Sequence, residues 1–328
     1  MDFSLDLIRV TEAAAIAASS YIGGGDKNGA DGAATEAMRD RLNRMPICGK
    51  IVIGEGKKDE APGLFDGEWV GAYRGVGKYV NKKDSQWKKI YDIAVDPVDG
   101  TTQTAKGGPE ASSVMAFSGP DTMYTTESHY VMKMCYGPRT KKYIDNKYGG
   151  DKYYQLDFPI GEVAAMVADA LKKQVDEVTV CVLDRPRNGH SIELLREIGC
   201  RIKLIQDCDV NASIATCLPN SGIDLYCGIG GAPEAVISAA AVKCLGGGFE
   251  MEEVERLLHG SSRFVKCGEV LNENDLVRGP CAFISTGITD GSLLDGVQVR
   301  KGSKPLTHSL FMKSASGTYR EIRTTHGN

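Results

Sequence analysis

Two carboxylates in the stretch 91–107, YDIAVDPVDGTTQTAKG, have the type and spacing to hold a divalent cation. Asp96 and Asp99 lie three residues apart, and the hydroxyls of Thr101 and Thr102 follow at once. Oxygen donors at this density suit Mg²⁺ or Mn²⁺, which favour carboxylates, waters and phosphate oxygens. An Asx-rich turn accounts for one aspartate and leaves the second unexplained. A further carboxylate, Glu55, stands between Gly54 and Gly56, where the backbone can come close to a ligand. Arg185 and Arg187 flank Pro186. In an extended segment both would project to one side, and guanidinium forks match phosphate in shape and charge. Asp207 and Asp209 are also two apart, and as carboxylates they can accept hydrogen bonds from hydroxyl groups of a ligand.

Short apolar runs must position these groups. Ile51-Val52-Ile53 leads into Gly54-Glu55-Gly56, and Ile93-Ala94-Val95 leads into Asp96-Pro97-Val98-Asp99-Gly100. Both read as buried strands that stop at a polar turn, with Pro97 and Gly100 shaping the second. A helix from Ser4 with a stripe of Leu5, Ile8, Ala15 and Ile16 opens the chain. Residues 26–32 read as a polar turn carrying Lys27 and Asp31, followed by a helix over 33–43. Residues 70–91 read as a hairpin or surface excursion, 112–117 as a strand, 124–135 as a strand carrying Tyr130, and 140–150 as a turn-rich loop. Beyond Asp157-Phe158-Pro159 helices and strands alternate: helices at 160–173, 190–198 and 235–244, strands at 178–183, 202–205 and 223–227. The polar clusters then fall at strand C-termini, the edge at which open α/β sheets bind ligands. The pattern predicts a domain boundary near 157, with residues 1–157 binding metal and 158–328 binding substrate. The tail from about 281 is expected to pack back across that boundary.

The 328 residues suffice for one large or two modest domains. A net charge of −4 argues against a general nucleic-acid or anionic-membrane surface. No secretion signal or membrane-length apolar run is present, and the ten cysteines form no C-x-x-C pair, so a reduced, cytoplasmic setting is expected. The histidines show no zinc-type spacing.

The hexapeptide DPVDGT resembles the metal-dependent, lithium-sensitive sugar phosphatases. Within them the chain resembles the class II fructose-1,6-bisphosphatases of bacteria and cyanobacteria. The resemblance runs over GDKNGADGAATEAMR at 25–39, IGEGKKDEAP at 53–62, DPVDGTTQTAKG at 96–107, LDRPRN at 183–188 and DCDV at 207–210. It continues through GIGGAPEAVISAAAVKCLGG at 228–247 and GITDGSLLDGV at 287–297. Inositol monophosphatases would carry a second glutamate beside Glu55 and a later Trp-Asp pair, and neither is present. The resemblance implies a layered α-β-α-β-α fold of the α/β class, with mixed sheets and the active site between two subdomains. It implies a homo-oligomer, a dimer or tetramer, and hydrolysis of the 1-phosphate of fructose 1,6-bisphosphate in gluconeogenesis or the Calvin cycle. Two or three Mg²⁺ or Mn²⁺ ions would be held by Asp31, Glu55, Asp96, Asp99 and Glu234. Asp59 matches an acid that helps to activate water, Thr101 the hydroxyl that orients it, and Lys27 a basic group near the site. Sugar-bisphosphate contacts would come from Asp99, Gly100, Thr101, Tyr130, Arg185, Pro186, Arg187, Asp207, Asp209 and Gly231. Three departures stand out: Lys57 in place of an acid, Cys208 in place of a glycine between two aspartates, and a longer basic segment at 70–91.

Three other readings compete. Gly228-Ile229-Gly230-Gly231-Ala232-Pro233 after a strand, with Glu250 downstream, resembles a dinucleotide fingerprint and would make a nicotinamide-dependent dehydrogenase. Pro233 in the sixth position and the charge of Glu234 oppose it. A metabolite sensor on a dead phosphatase fold would have lost a ligand carboxylate or Thr101, and all are present. Sedoheptulose 1,7-bisphosphate, alone or with the fructose ester, is the nearer alternative substrate.

Overall fold

The computed structural model describes residues 4–54, 56, 63–80, 90–149, 154–257, 263–299 and 304–327. The chain is mixed α/β, with two mixed sheets in two units, residues 1–125 with 278–328 and residues 126–277. The division at 157 expected from the sequence differs from these units. The segment 130–148 falls in the second unit because its strand pairs there, and the tail returns to the first.

The first unit opens with α1 (Ser4–Ser19), α2 (Lys27–Arg44), β1 (Cys48–Ile53), β2 (Trp69–Val70), α3 (Arg74–Gly77), β3 (Ile90–Asp99), α4 (Thr101–Lys106) and β4 (Ser112–Ser118). The second holds β5 (Tyr130–Tyr136), α5 (Pro138–Tyr148), α6 (Ile160–Leu171), β6 (Thr179–Leu183), α7 (Gly189–Ile198), β7 (Arg201–Ile205) and α8 (Asp209–Cys217). It continues with β8 (Leu225–Gly231), α9 (Ala232–Leu245), β9 (Gly248–Arg256), β10 (Phe264–Lys266), β11 (Leu271–Asn272) and α10 (Glu273–Leu276). The chain then returns to the first unit with β12 (Cys281–Gly287), β13 (Leu306–Lys313) and β14 (Thr318–Thr325).

The first sheet runs β14-β13-β12-β4-β3-β1-β2, antiparallel except for the β1–β3 pair. Ile51, Ile93, Met115, Ile284 and Phe311 pack in one core with Val10, Ala14, Met38 and Leu42 of the first two helices. Of the stripe expected on α1, Ile8 and Ala15 are buried, together with Leu7, Thr11, Ala14 and Ala18, whereas Leu5 is 71% exposed. These recur at three- and four-residue steps, and Leu5 falls outside that helical face.

The second sheet runs β10-β9-β5-β8-β6-β7, with β11 on β9. β6 is parallel to both β7 and β8, and β5 pairs antiparallel with β8 and β9. Val180, Val182 and Leu225 pack with Val163, Val167 and Leu195 of α6 and α7.

Three elements correct the sequence reading. Residues 140–150 are mostly helix, because Pro138 starts α5, Ile144 and Thr140 face inward, and Gly149 ends it at φ +90°. The mostly polar outer face concealed the helix, yet the C-terminal glycine is a strong stop signal. Residues 27–32 form the first turns of α2 rather than a loop, with Asp26 as N-cap accepting from the Gly29 amide at 2.8 Å. β8 continues through its glycines to Gly231 instead of stopping at Cys227.

Candidate functional site

In the first unit the site residues sit on β3, α4 and the start of α2. β3 does not stop before Asp96 but runs through Asp99 with a bulge. Asp96 pairs with Val114 and Asp99 with Ser112, so three steps on β3 match two on β4. In a regular strand, residues three apart point to opposite faces. The extra residue restores both aspartates to one face, because their partners Val114 and Ser112 are two apart. Pro97 is tolerated at the bulge beyond Ala94, the last residue of β3 paired to β1.

Asp96 is half-buried, and its Oδ1 accepts from the Val98 amide at 3.0 Å. Asp99 is almost fully buried. Gly100 then takes φ +97°, a turn only glycine makes without strain, and Thr101 begins α4. Lys27, the first residue of α2, donates from Nζ to Thr102 Oγ1 at 2.8 Å, which ties α2 to the start of α4. Asp31 lies one turn further along α2, half-buried. Glu55, Lys57 and Asp59 lie outside the described residues. Among the described residues, no three His, Cys, Asp or Glu side chains converge as a metal site by themselves.

In the second unit the site is built around the glycines of β8. Lys133, fully buried on the central strand β5, donates from Nζ to Asp209 Oδ2 at 2.8 Å. The Tyr226 hydroxyl donates to the same oxygen at 2.9 Å. Burial, followed by the charge of Asp209, pushes the Tyr226 phenol well above its ordinary pKa. Asp209 is therefore engaged by protein donors through Oδ2. Asp207 precedes it, half-buried, and Cys208 between them takes φ +65°. That left-handed conformation is the reason a glycine suits this position and Cys208 is strained there.

A Cβ at Gly230 would lie 2.5 Å from Asp209 Oδ2 and 3.0 Å from Lys133 Nζ. A Cβ at Gly231 would lie 2.0 Å from Glu234 Oε2. The glycines thus admit the Lys133–Asp209 pair and the Glu234 carboxylate against the strand. Glu234 sits in the first turn of α9, and its Oε2 is buried with no hydrogen-bond partner among the described residues. Burial raises its pKa, Lys133 opposes the rise, and Asp209 adds to it. A buried carboxylate oxygen held without a donor suits a cation as its partner.

Arg185 and Arg187 are arranged differently from the extended pair expected. Residues Pro186–Asn188 form a turn of 3₁₀ helix, so the two arginines are set around that turn. Pro186 is exposed, as its N1 position allows. Arg187 donates from Nε to the Ile229 carbonyl at 2.8 Å and lies 4.9 Å from the centre of the Tyr130 ring. Its pKa is lowered, chiefly by burial, with Arg185 also lowering it. Asn188 fastens the turn to β8: it accepts from the Ile229 amide at 2.7 Å and donates to the Leu183 carbonyl at 3.0 Å.

Sequence reasoning missed Lys133, Tyr226 and Asn188. A lone lysine inside YVMKMCY was the available signal, since a charge amid apolar neighbours on a central strand is buried only when paired. The dehydrogenase reading loses its acid: Glu250 is buried, accepting from the Tyr136 hydroxyl and the Leu156 amide, each at 2.9 Å. All ten cysteines are free thiols, nine of them buried. Among the described residues, no helix is long and apolar enough to cross a membrane.

The chain matches, over residues 1–326, the family model described as bacterial fructose-1,6-bisphosphatase, glpX-encoded. It is 38% identical over 345 aligned residues to fructose-1,6-bisphosphatase 1 class 2 of Escherichia coli K12, covering 99% of this chain and 95% of that one. The same identity and coverage relate it to the fructose-1,6-bisphosphatase class 2 of E. coli O6:H1 and of Shigella flexneri.

Proposed function

The chain belongs to the bacterial, glpX-encoded family of fructose-1,6-bisphosphatases, and from that membership we propose that it hydrolyses the 1-phosphate of fructose 1,6-bisphosphate. The products are fructose 6-phosphate and phosphate. The observation that carries this reading is the match along the whole chain, with the bulge of β3 turning Asp96 and Asp99 to one face. The relatives' names support the fructose ester over the sedoheptulose ester.

The reaction depends on divalent metal, and Mg²⁺ or Mn²⁺ fits the donor set, which is all carboxylate and includes Glu234, whose Oε2 is buried without a hydrogen-bond donor among the described residues. Asp31, Glu55, Asp96, Asp99 and Glu234 would hold the ions. When bound, the ions supply a more acidic water and neutralise phosphoryl charge. The chain's own groups do the positioning. Gly100 fixes the turn on which the Thr101 hydroxyl orients the attacking water, and Asp59 accepts its proton. Lys27 steadies the start of α4 through Thr102. Arg185 and Arg187, with Tyr130, hold the phosphate that is not cleaved, and Asp207 binds sugar hydroxyls. The Lys133 ion pair holds Asp209 in place beside Asp207.

The test is phosphate release from fructose 1,6-bisphosphate by the wild type and by Asp96→Asn and Glu234→Gln. Either variant retaining more than about a tenth of kcat, a loss below about 1.4 kcal/mol, contradicts the metal assignment.

A further inference from the structure

We infer that Arg256 is a third cation for the uncleaved phosphate, a specificity-determining residue for the bisphosphate. This rests on the fructose-bisphosphatase reading. Arg256 ends β9, is exposed, and places its guanidinium carbon 5.5 Å from the centre of the Tyr130 ring and 5.6 Å from that of Phe264. Tyr130 therefore carries two guanidinium groups, Arg256 and, at 4.9 Å, Arg187, with Phe264 edge-on at 5.5 Å.

The sheet register brings these side chains together. Phe264 lies directly opposite Arg256, so both project from one face. Val131 pairs with Glu253, which extends to place Tyr130 beside position 254, and two residues further Arg256 returns to that face. Among the described residues Arg256 has no carboxylate partner, and its contacts are the two rings. Two guanidinium groups on one ring repel each other, and Arg185 adds a third positive charge beside Arg187. Rings attract cations through their faces and leave the N–H forks directed outward. Asp209 is the carboxylate beside Arg187, and among the described residues none pairs with Arg256, so the cluster keeps a positive surplus complementary to a dianionic phosphate bearing several acceptor oxygens. The aromatic pair Tyr130–Phe264 also removes rotamer freedom from Arg256, so less is lost on binding.

The experiment compares wild type, Arg256→Ala and Arg256→Lys at saturating metal. For each, the readouts are kcat and KM for fructose 1,6-bisphosphate, inhibition by fructose 6-phosphate and by inorganic phosphate, and hydrolysis of p-nitrophenyl phosphate. In Arg256→Ala, KM for the bisphosphate and the inhibition constant of fructose 6-phosphate should rise together by about tenfold. p-Nitrophenyl phosphate hydrolysis, which involves no second phosphate, should stay within about twofold of wild type. Arg256→Lys should recover part of the loss, since it keeps the charge and loses the planar fork. In the background of Tyr130→Ala the effect of Arg256→Ala should shrink, because the ring that holds the guanidinium is gone. Unchanged KM and product inhibition in Arg256→Ala would overturn the inference. So would a parallel loss on p-nitrophenyl phosphate, which marks a structural role. A wild type that cleaves p-nitrophenyl phosphate but not fructose 1,6-bisphosphate overturns instead the reading on which the inference rests, and the inference with it.

Discussion

Replacing Gly231 by alanine should leave the fold standing and remove most of the activity. The backbone there, φ −69° and ψ 144°, is open to any residue. The obstacle is the side chain of Glu234, since the added Cβ would lie 2.0 Å from Oε2, 2.7 Å from Cδ and 2.8 Å from Oε1. Carbon–oxygen contacts settle near about 3.3–3.6 Å, so the carboxylate must retreat by more than about 1 Å. A glutamate side chain can swing that far at small cost. Alanine also restricts the unfolded chain, contributing about 0.4–1 kcal/mol of stability in compensation. The free energy of unfolding should therefore change by less than about 1 kcal/mol. Activity should respond far more, because a misplacement of about 1 Å in the site can cost on the order of a hundredfold. The assay pairs urea unfolding with kcat for fructose 1,6-bisphosphate across a Mg²⁺ and Mn²⁺ titration. A variant within about threefold of wild-type kcat at low metal refutes the role of Glu234, and so does one that loses activity only through unfolding.

Lys133→Met strips the buried Asp209 carboxylate of its ion-pair partner and should lower stability by about 3–5 kcal/mol in urea unfolding; a loss under about 1 kcal/mol would refute the pairing. Glu250 has its pKa raised to about 7, mainly by burial, above the ordinary 4.5. Between those values the folded state binds more protons than the unfolded chain, so this group's contribution to stability falls as pH rises from 4.5 through about 7. Its full cost, on the order of 3 kcal/mol, is reached above that range. Glu250→Gln should flatten that descent in unfolding free energy, and an unchanged slope would show another group responsible. Arg187→Ala should reduce kcat/KM for the bisphosphate by about tenfold to a hundredfold with p-nitrophenyl phosphate nearly untouched, whereas equal losses on both would place Arg187 in the fold instead.

The apolar strands and the glycine-punctuated polar turns were legible because their patterns are local. Ile51 to Ile53 and Ile93 to Val95 lie in buried strands, as their composition predicts. The bulge at Pro97-Val98 was not legible, because a bulge is defined by the partner strand's count and not by its own residues. Helix α5 escaped since only Thr140 and Ile144 are buried on it, a face too narrow to show against its charged remainder. The pairing of Lys133 with Asp209 joins residues 76 apart in sequence, and nothing local announces such a partner. Arg256 was hidden for the same reason: its meaning comes from Tyr130 and Phe264 on neighbouring strands.

The most direct test of the account is to supply fructose 1,6-bisphosphate with Mg²⁺ or Mn²⁺ and measure both products, with and without a chelator. The account predicts equal amounts of fructose 6-phosphate and inorganic phosphate, released only while metal is present. Fructose 1-phosphate as the product, or release that persists after chelation, would contradict it.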